Sequence, residues 1–220
     1  MPCFSPALFP PARFAAAAFA VSTLLFLGGC QGGNPPSAPG TTTATPTATA
    51  SGSGIPSLTI TTPSGVYKPA DSKGKAQNVP VPVMPALAKE NTKEGLEAFI
   101  RYWYAQLSYV DETGEMSGWL PLFTEDCRLC VALQKSGEDG YVKGRWLEGG
   151  RISVPAVEVQ WKAMPGSVAT KVQVVQEAIQ YHNADVTTGR AASEASNDAF
   201  ALFANFSNDA WKVVDLGVIA

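Results

Sequence analysis

Apolar residues follow the helical period in the middle of the chain and a period of two toward its end. In KENTKEGLEAFIRYWYAQLSYVDETG, Leu96, Phe99, Ile100, Trp103, Leu107 and Val110 recur at helical spacing, which predicts one long amphipathic helix. Asn91 followed by Glu94 predicts its N-terminal cap with a reciprocal acid. Gly114 supplies a residue able to take the left-handed conformation that ends helices. Met116 to Phe123 predicts a shorter helical piece interrupted by Pro121. Thr124 then caps a second helix to about Lys135, and SGEDG reads as a glycine-rich loop.

After Gly149-Gly150 the period changes. RISVPAVEVQWK alternates Val157, Val159 and Trp161 against Glu158, Gln160 and Lys162, and Pro155 within it predicts an edge position or a bulge. TKVQVVQEAIQYHN alternates twice with a shift at Val174-Val175, the pattern of a β-bulge. DAFALFANFSN and AWKVVDLGVI complete four strands, with Asn208-Asp209 as the turn of a hairpin. Helices followed by antiparallel strands predict an α+β domain over 89–220: N-terminal helices packed on a curved antiparallel sheet of about four strands.

The N-terminus obeys neither period. Arg13 precedes an apolar run from Phe14 to Leu27, shorter than the roughly 20 residues a membrane-spanning helix needs and of signal-peptide length. It closes in Leu27-Gly28-Gly29-Cys30, which resembles the bacterial lipobox. That resemblance implies removal of a signal peptide, 1–29, and a diacylglycerol on Cys30. The alternatives are an ordinary secretory signal that happens to contain a cysteine, or an uncut apolar anchor. Residues 30–88 are rich in Thr, Ala, Pro and Gly, including TTTATPTATA, and predict a disordered linker, because such a segment buries too little apolar surface to offset its ordering entropy. Thr59 and Ile60 within it could pair as a short strand, but Pro56 and Pro63 bracket them and the segment stays unassigned. A lipid at one end and a domain at the other predict a cell-membrane protein on the extracytoplasmic face, held by two acyl chains.

Charge narrows the partners. The formal net charge is −3 and the acidic excess lies after Lys89, so no basic stripe exists to neutralise phosphates and nucleic acid is not an expected partner. No phosphate-binding glycine loop is present, and with one histidine no Ser/His/Asp set can be assembled. No cofactor is expected.

The terminal AWKVVDLGVI and the order of elements resemble the nuclear-transport-factor-2-like (polyketide-cyclase-like) superfamily, whose helices and curved sheet form a cone around a pocket. EGLEAFIRYWYAQLSY and CRLC are similar to actinobacterial lipoproteins carrying such a domain. The resemblance implies a cone-shaped fold and leaves activity open, because the superfamily hosts enzymes and plain binding domains alike.

Cys127 and Cys130 remain once Cys3 leaves with the signal and Cys30 is acylated. An oxidising compartment favours a disulfide between them. A redox site would need a βαβ context that is absent, and a zinc site would need further ligands. His182, beside Asn183 and Asp185, reads as part of a surface turn. Enzymes resembling the superfamily use a buried Asp or His as base, so Asp215 is a candidate pocket residue, together with Trp211, Tyr102, Tyr104 and Tyr109. The competing reading puts Asp215 in solvent and Val214, Leu216 and Val218 in the core. The expected function is therefore binding of a small apolar ligand or an envelope protein. The alternatives are an isomerase- or cyclase-like enzyme using a pocket carboxylate, or an accessory subunit of an envelope complex.

Overall fold

A computed structural model describes residues 59–61, 63–161 and 166–219. Cys30, the signal peptide and most of the expected linker lie outside the described residues.

Two short strands, β1 (Thr59–Thr61) and β2 (Val81–Val83), pair antiparallel ahead of the helices. The expected linker is therefore structured over its last part. Tyr67 donates to Glu112 Oε2 at 2.8 Å, and the Trp146 indole donates to the Asp71 carbonyl at 2.9 Å. The Gln106 amide donates to the carbonyl of Pro82 at 3.1 Å. These contacts are long in sequence, and a local reading of Pro and Gly content gives no sign of them.

The helices are central in the chain, not N-terminal. Helix α1 (Lys93–Thr113) buries Leu96, Phe99, Ile100, Trp103, Leu107 and Val110, the stripe its period predicts. Its cap is Thr92, whose hydroxyl accepts from Gly95 N at 3.0 Å, one position later than the expected Asn91. Gly114 closes it in the left-handed conformation, φ 77°. Helix α2 (Arg128–Tyr141) starts at Cys127 in place of Thr124 and runs straight through SGEDG. The reason is close packing. A Cβ on Gly137 would come within 2.7 Å of Met116 Cε, and one on Gly140 within 3.2 Å of Leu147 Cδ2. These glycines let α2 approach its neighbours and do not turn the chain.

Strands β3 (Trp146–Gly149) and β6 (Ile179–His182) form a two-stranded ribbon. Strands β4 (Ile152–Val159), β5 (Val168–Gln176), β7 (Ser196–Ser207) and β8 (Ala210–Val218) form an antiparallel sheet in the order β4-β5-β7-β8. The irregularity at Pro155 is present, as a register shift between Ser153 and Ala156 on an edge strand. The bulge expected at Val174-Val175 is not. Pairing with β7 is continuous there, and the chain instead leaves the sheet after Gln176 so that β6 can join β3. Asn208 and Asp209 both have positive φ, 51° and 57°, which suits a two-residue hairpin. One core joins the apolar face of α1 to Val172, Val174, Leu202, Ala204, Val213 and Leu216 of the sheet.

Candidate functional site

The same helix face that fills the core also forms one wall of a cavity of about 360 Å³. Tyr104, Leu107 and Asp111 face it at i, i+3 and i+7 along α1. Leu129, Leu133, Ser136 and Gly137 of α2 form a second wall. The sheet contributes Ile152, Val174, Gln176, Phe200, Leu216 and Val218, which continue the inward-facing rows of their strands. The ribbon and the loop after it add Leu147, Ile179, Tyr181, Arg190 and Ser193. The volume and the mostly apolar lining fall in the range of small-molecule sites.

Its polar groups are few. Gln176 donates to Asp111 Oδ2 at 3.0 Å and, more weakly, to the Gly150 carbonyl at 3.3 Å. Burial pushes the Asp111 carboxyl up to about 7; the Gln176 hydrogen bond opposes this and the negative charge of Glu112 adds to it. The Tyr141 hydroxyl donates to the Asp111 backbone carbonyl at 2.8 Å, tying α2 to the end of α1. The Tyr104 hydroxyl is enclosed with no partner among the described residues, and burial raises its pKa. At the loop side, the Tyr181 and Ser193 hydroxyls lie 2.9 Å apart, and the Arg190 guanidinium sits 3.8 Å from the Tyr181 ring centroid.

The structure separates the candidate pocket residues named from the sequence. Tyr104 lines the cavity. Tyr102 is buried elsewhere, its hydroxyl accepting from Gln106 at 2.8 Å. Tyr109 borders a different groove, of about 300 Å³, with Tyr67, Glu112 and Arg151. Trp211 packs on Phe206 and donates its indole N–H to the Glu90 carbonyl at 2.9 Å. Asp215 is exposed. Strict alternation from Trp211 and Val213 would turn it inward, but a bulge intervenes. Val213 pairs with Ala204 and Asp215 with Phe203, leaving Val214 as the extra residue, so that Leu216 faces in and Asp215 faces out.

His182 also departs from its surface-turn reading. It is 8% exposed, stacked on Trp146, with Nε2 2.7 Å from Glu148 Oε2 across the ribbon. Cys127 and Cys130 are joined in a disulfide at the start of α2, both fully buried. Among the described residues no group of three His, Cys, Asp or Glu side chains is placed to hold a metal. No described helix is long and apolar enough to cross a membrane.

Asp111 is the site residue the sequence reading missed. A signal was present: Asp111 lies four residues after Leu107 and seven after Tyr104, on the stripe of α1 that is otherwise apolar. Gln176 gave the same kind of sign, as a polar residue in step with Val172 and Val174.

A protein family described as "Family of unknown function (DUF6318)" matches residues 65–217. No curated protein matches the sequence. Among solved structures, the intermembrane space region of the chloroplast protein ARC6 is similar at a TM-score of 0.41 and 14% identity, covering 60% of this chain and 98% of that one. The beta subunit of the benzoate 1,2-dioxygenase from Burkholderia mallei is a second structural neighbour, at a TM-score of 0.39 and 12% identity, covering 59% of this chain and 90% of that one.

Proposed function

The chain belongs to the family of unknown function DUF6318, and we propose that its domain binds a small, mainly apolar molecule in the cavity between α1, α2 and the sheet. The observation that carries this reading is the lining: a ring of Leu, Ile, Val and Phe side chains from six strands and two helices encloses about 360 Å³. Apolar surface of that extent, facing a cavity and not packed against itself, gains free energy when a ligand displaces water from it. We read the helices closing one side of the curved sheet as the cone-shaped, nuclear-transport-factor-2-like architecture. We place the domain outside the cytoplasmic membrane, tethered through a lipid on Cys30.

Naphthalene, an uncharged hydrocarbon small enough for the cavity, tests the reading. It should perturb the methyl resonances of Leu107 and Leu133 and the ring resonances of Phe200. Ser136→Trp, at an exposed position on the α2 wall, should block the cavity and abolish those shifts. Binding unaffected by Ser136→Trp, or no binding by naphthalene or its derivatives, would sink the proposal.

A second reading, catalysis by a pocket carboxylate, is favoured by one observation. Asp111 has the burial and raised pKa that suit a base near neutral pH. Turnover abolished by Asp111→Asn with ligand binding retained would establish it.

A further inference from the structure

Two features of the cavity bear on which chemical class it accepts. Among the described residues, its only side chains with a formal charge are Asp111, within the wall, and Arg190, on the loop after β6. Neither makes an ion pair among the described residues. Asp111 has Glu112 next to it in the chain, Gln176 facing it from β5, and Tyr141 from α2. No cation among the described residues offsets the carboxyl, so an anionic group brought to this end meets repulsion in a poorly solvated setting. Arg190 is exposed, lines the cavity and lies over the Tyr181 ring, so its positive charge opposes a cationic group at that end. The apolar walls between them cannot solvate either sign of charge.

The wall is nonetheless not indifferent to polarity. Gln176 uses one N–H on Asp111 Oδ2 and the other on the Gly150 carbonyl, which fixes the carboxyl in one orientation. Asp111 Oδ1 accepts no hydrogen bond among the described residues, and the residue lines the cavity. A fixed acceptor in an apolar wall is satisfied best by a single donor from the ligand, and a ligand lacking that donor leaves it unpaired.

We infer that the ligand of this cavity is a neutral apolar molecule carrying one hydroxyl, an alcohol or a phenol, which donates its hydrogen bond to Asp111 Oδ1. The inference rests on the cavity being the binding site. It assigns Asp111 and Gln176 as the specificity pair: Asp111 accepts the ligand's hydrogen bond, and Gln176 holds the acceptor in place.

The test compares 2-naphthol, naphthalene, 2-methoxynaphthalene, 2-naphthoate and 2-naphthylmethylammonium as ligands of the full chain at pH 8, where the carboxylate is the better acceptor. The wild-type protein should bind 2-naphthol at least tenfold more tightly than any of the other four, a margin of about 1.4 kcal/mol. In Asp111→Leu that margin should vanish. The comparison among ligands needs no variant, so the inference stays testable even if Asp111→Leu fails to fold. Equal wild-type affinities for 2-naphthol and its methyl ether, a margin that survives in Asp111→Leu, or tighter binding of either charged compound would each overturn it. If those affinities are equal and Ser136→Trp still abolishes them, only the hydroxyl inference falls. If none of the five compounds binds in the cavity, the binding reading itself fails.

Discussion

Replacing Asp111 by Asn keeps the side chain's size and its ability to accept from Gln176, and removes a carboxyl that cannot ionise cheaply where it stands. The fold raises that carboxyl from 3.8 to about 7, chiefly by burial. Between those two values the folded protein holds a proton that the unfolded chain has released. Wild-type stability contributed by this group is therefore fully present below pH 4 and is lost as pH rises through 7. At about 1.36 kcal/mol per pH unit the loss amounts to roughly 4 kcal/mol. Asn does not titrate, so the variant should be close to wild type near pH 4 and more stable above pH 8, by a margin approaching that figure. Urea unfolding of both proteins at pH 4, 6 and 8 measures the difference directly, and taking the difference cancels the titrating groups that do not interact with Asp111. A margin that stays flat across this range, or a wild type that gains on the variant as pH rises, would refute the burial argument.

Alkylating the unfolded, unreduced protein should leave Cys127 and Cys130 unlabelled, and labelling of both would remove the disulfide. Because the pair closes a very short loop, replacing both by Ala should cost only about 2 kcal/mol in denaturant unfolding. Gly114→Ala should cost more than Thr92→Ala. The first puts a Cβ within 2.5 Å of the Tyr141 ring at φ 77°, while the second removes one cap, worth about 1 kcal/mol; thermal unfolding of the two variants ranks them. Cys30→Ala should abolish incorporation of labelled fatty acid and leave an unprocessed precursor. If cleavage continues after Gly29 and the wild type carries no lipid, the anchor reading is wrong.

Local patterns carried the helix stripe, the hairpin at Asn208-Asp209 and the edge irregularity at Pro155, because each depends on a few neighbouring residues and a fixed period. The close Cys127–Cys130 spacing was legible for the same reason. What the sequence alone could not decide depended on partners far along the chain. Gly137 and Gly140 look like a loop until Met116 and Leu147 are seen packed against them. Residues 63–83 look like linker until Gln106, Glu112 and Trp146 are found holding them. One extra residue in β8 decided the place of Asp215, and a partner strand decided that of Asp111. The bulge at Val214 turned Asp215 to solvent, while Asp111 kept its place on the stripe and met Gln176 from β5. A strand's period tells which residues share a face only until a bulge resets it, and pairing with the neighbouring strand decides where that happens.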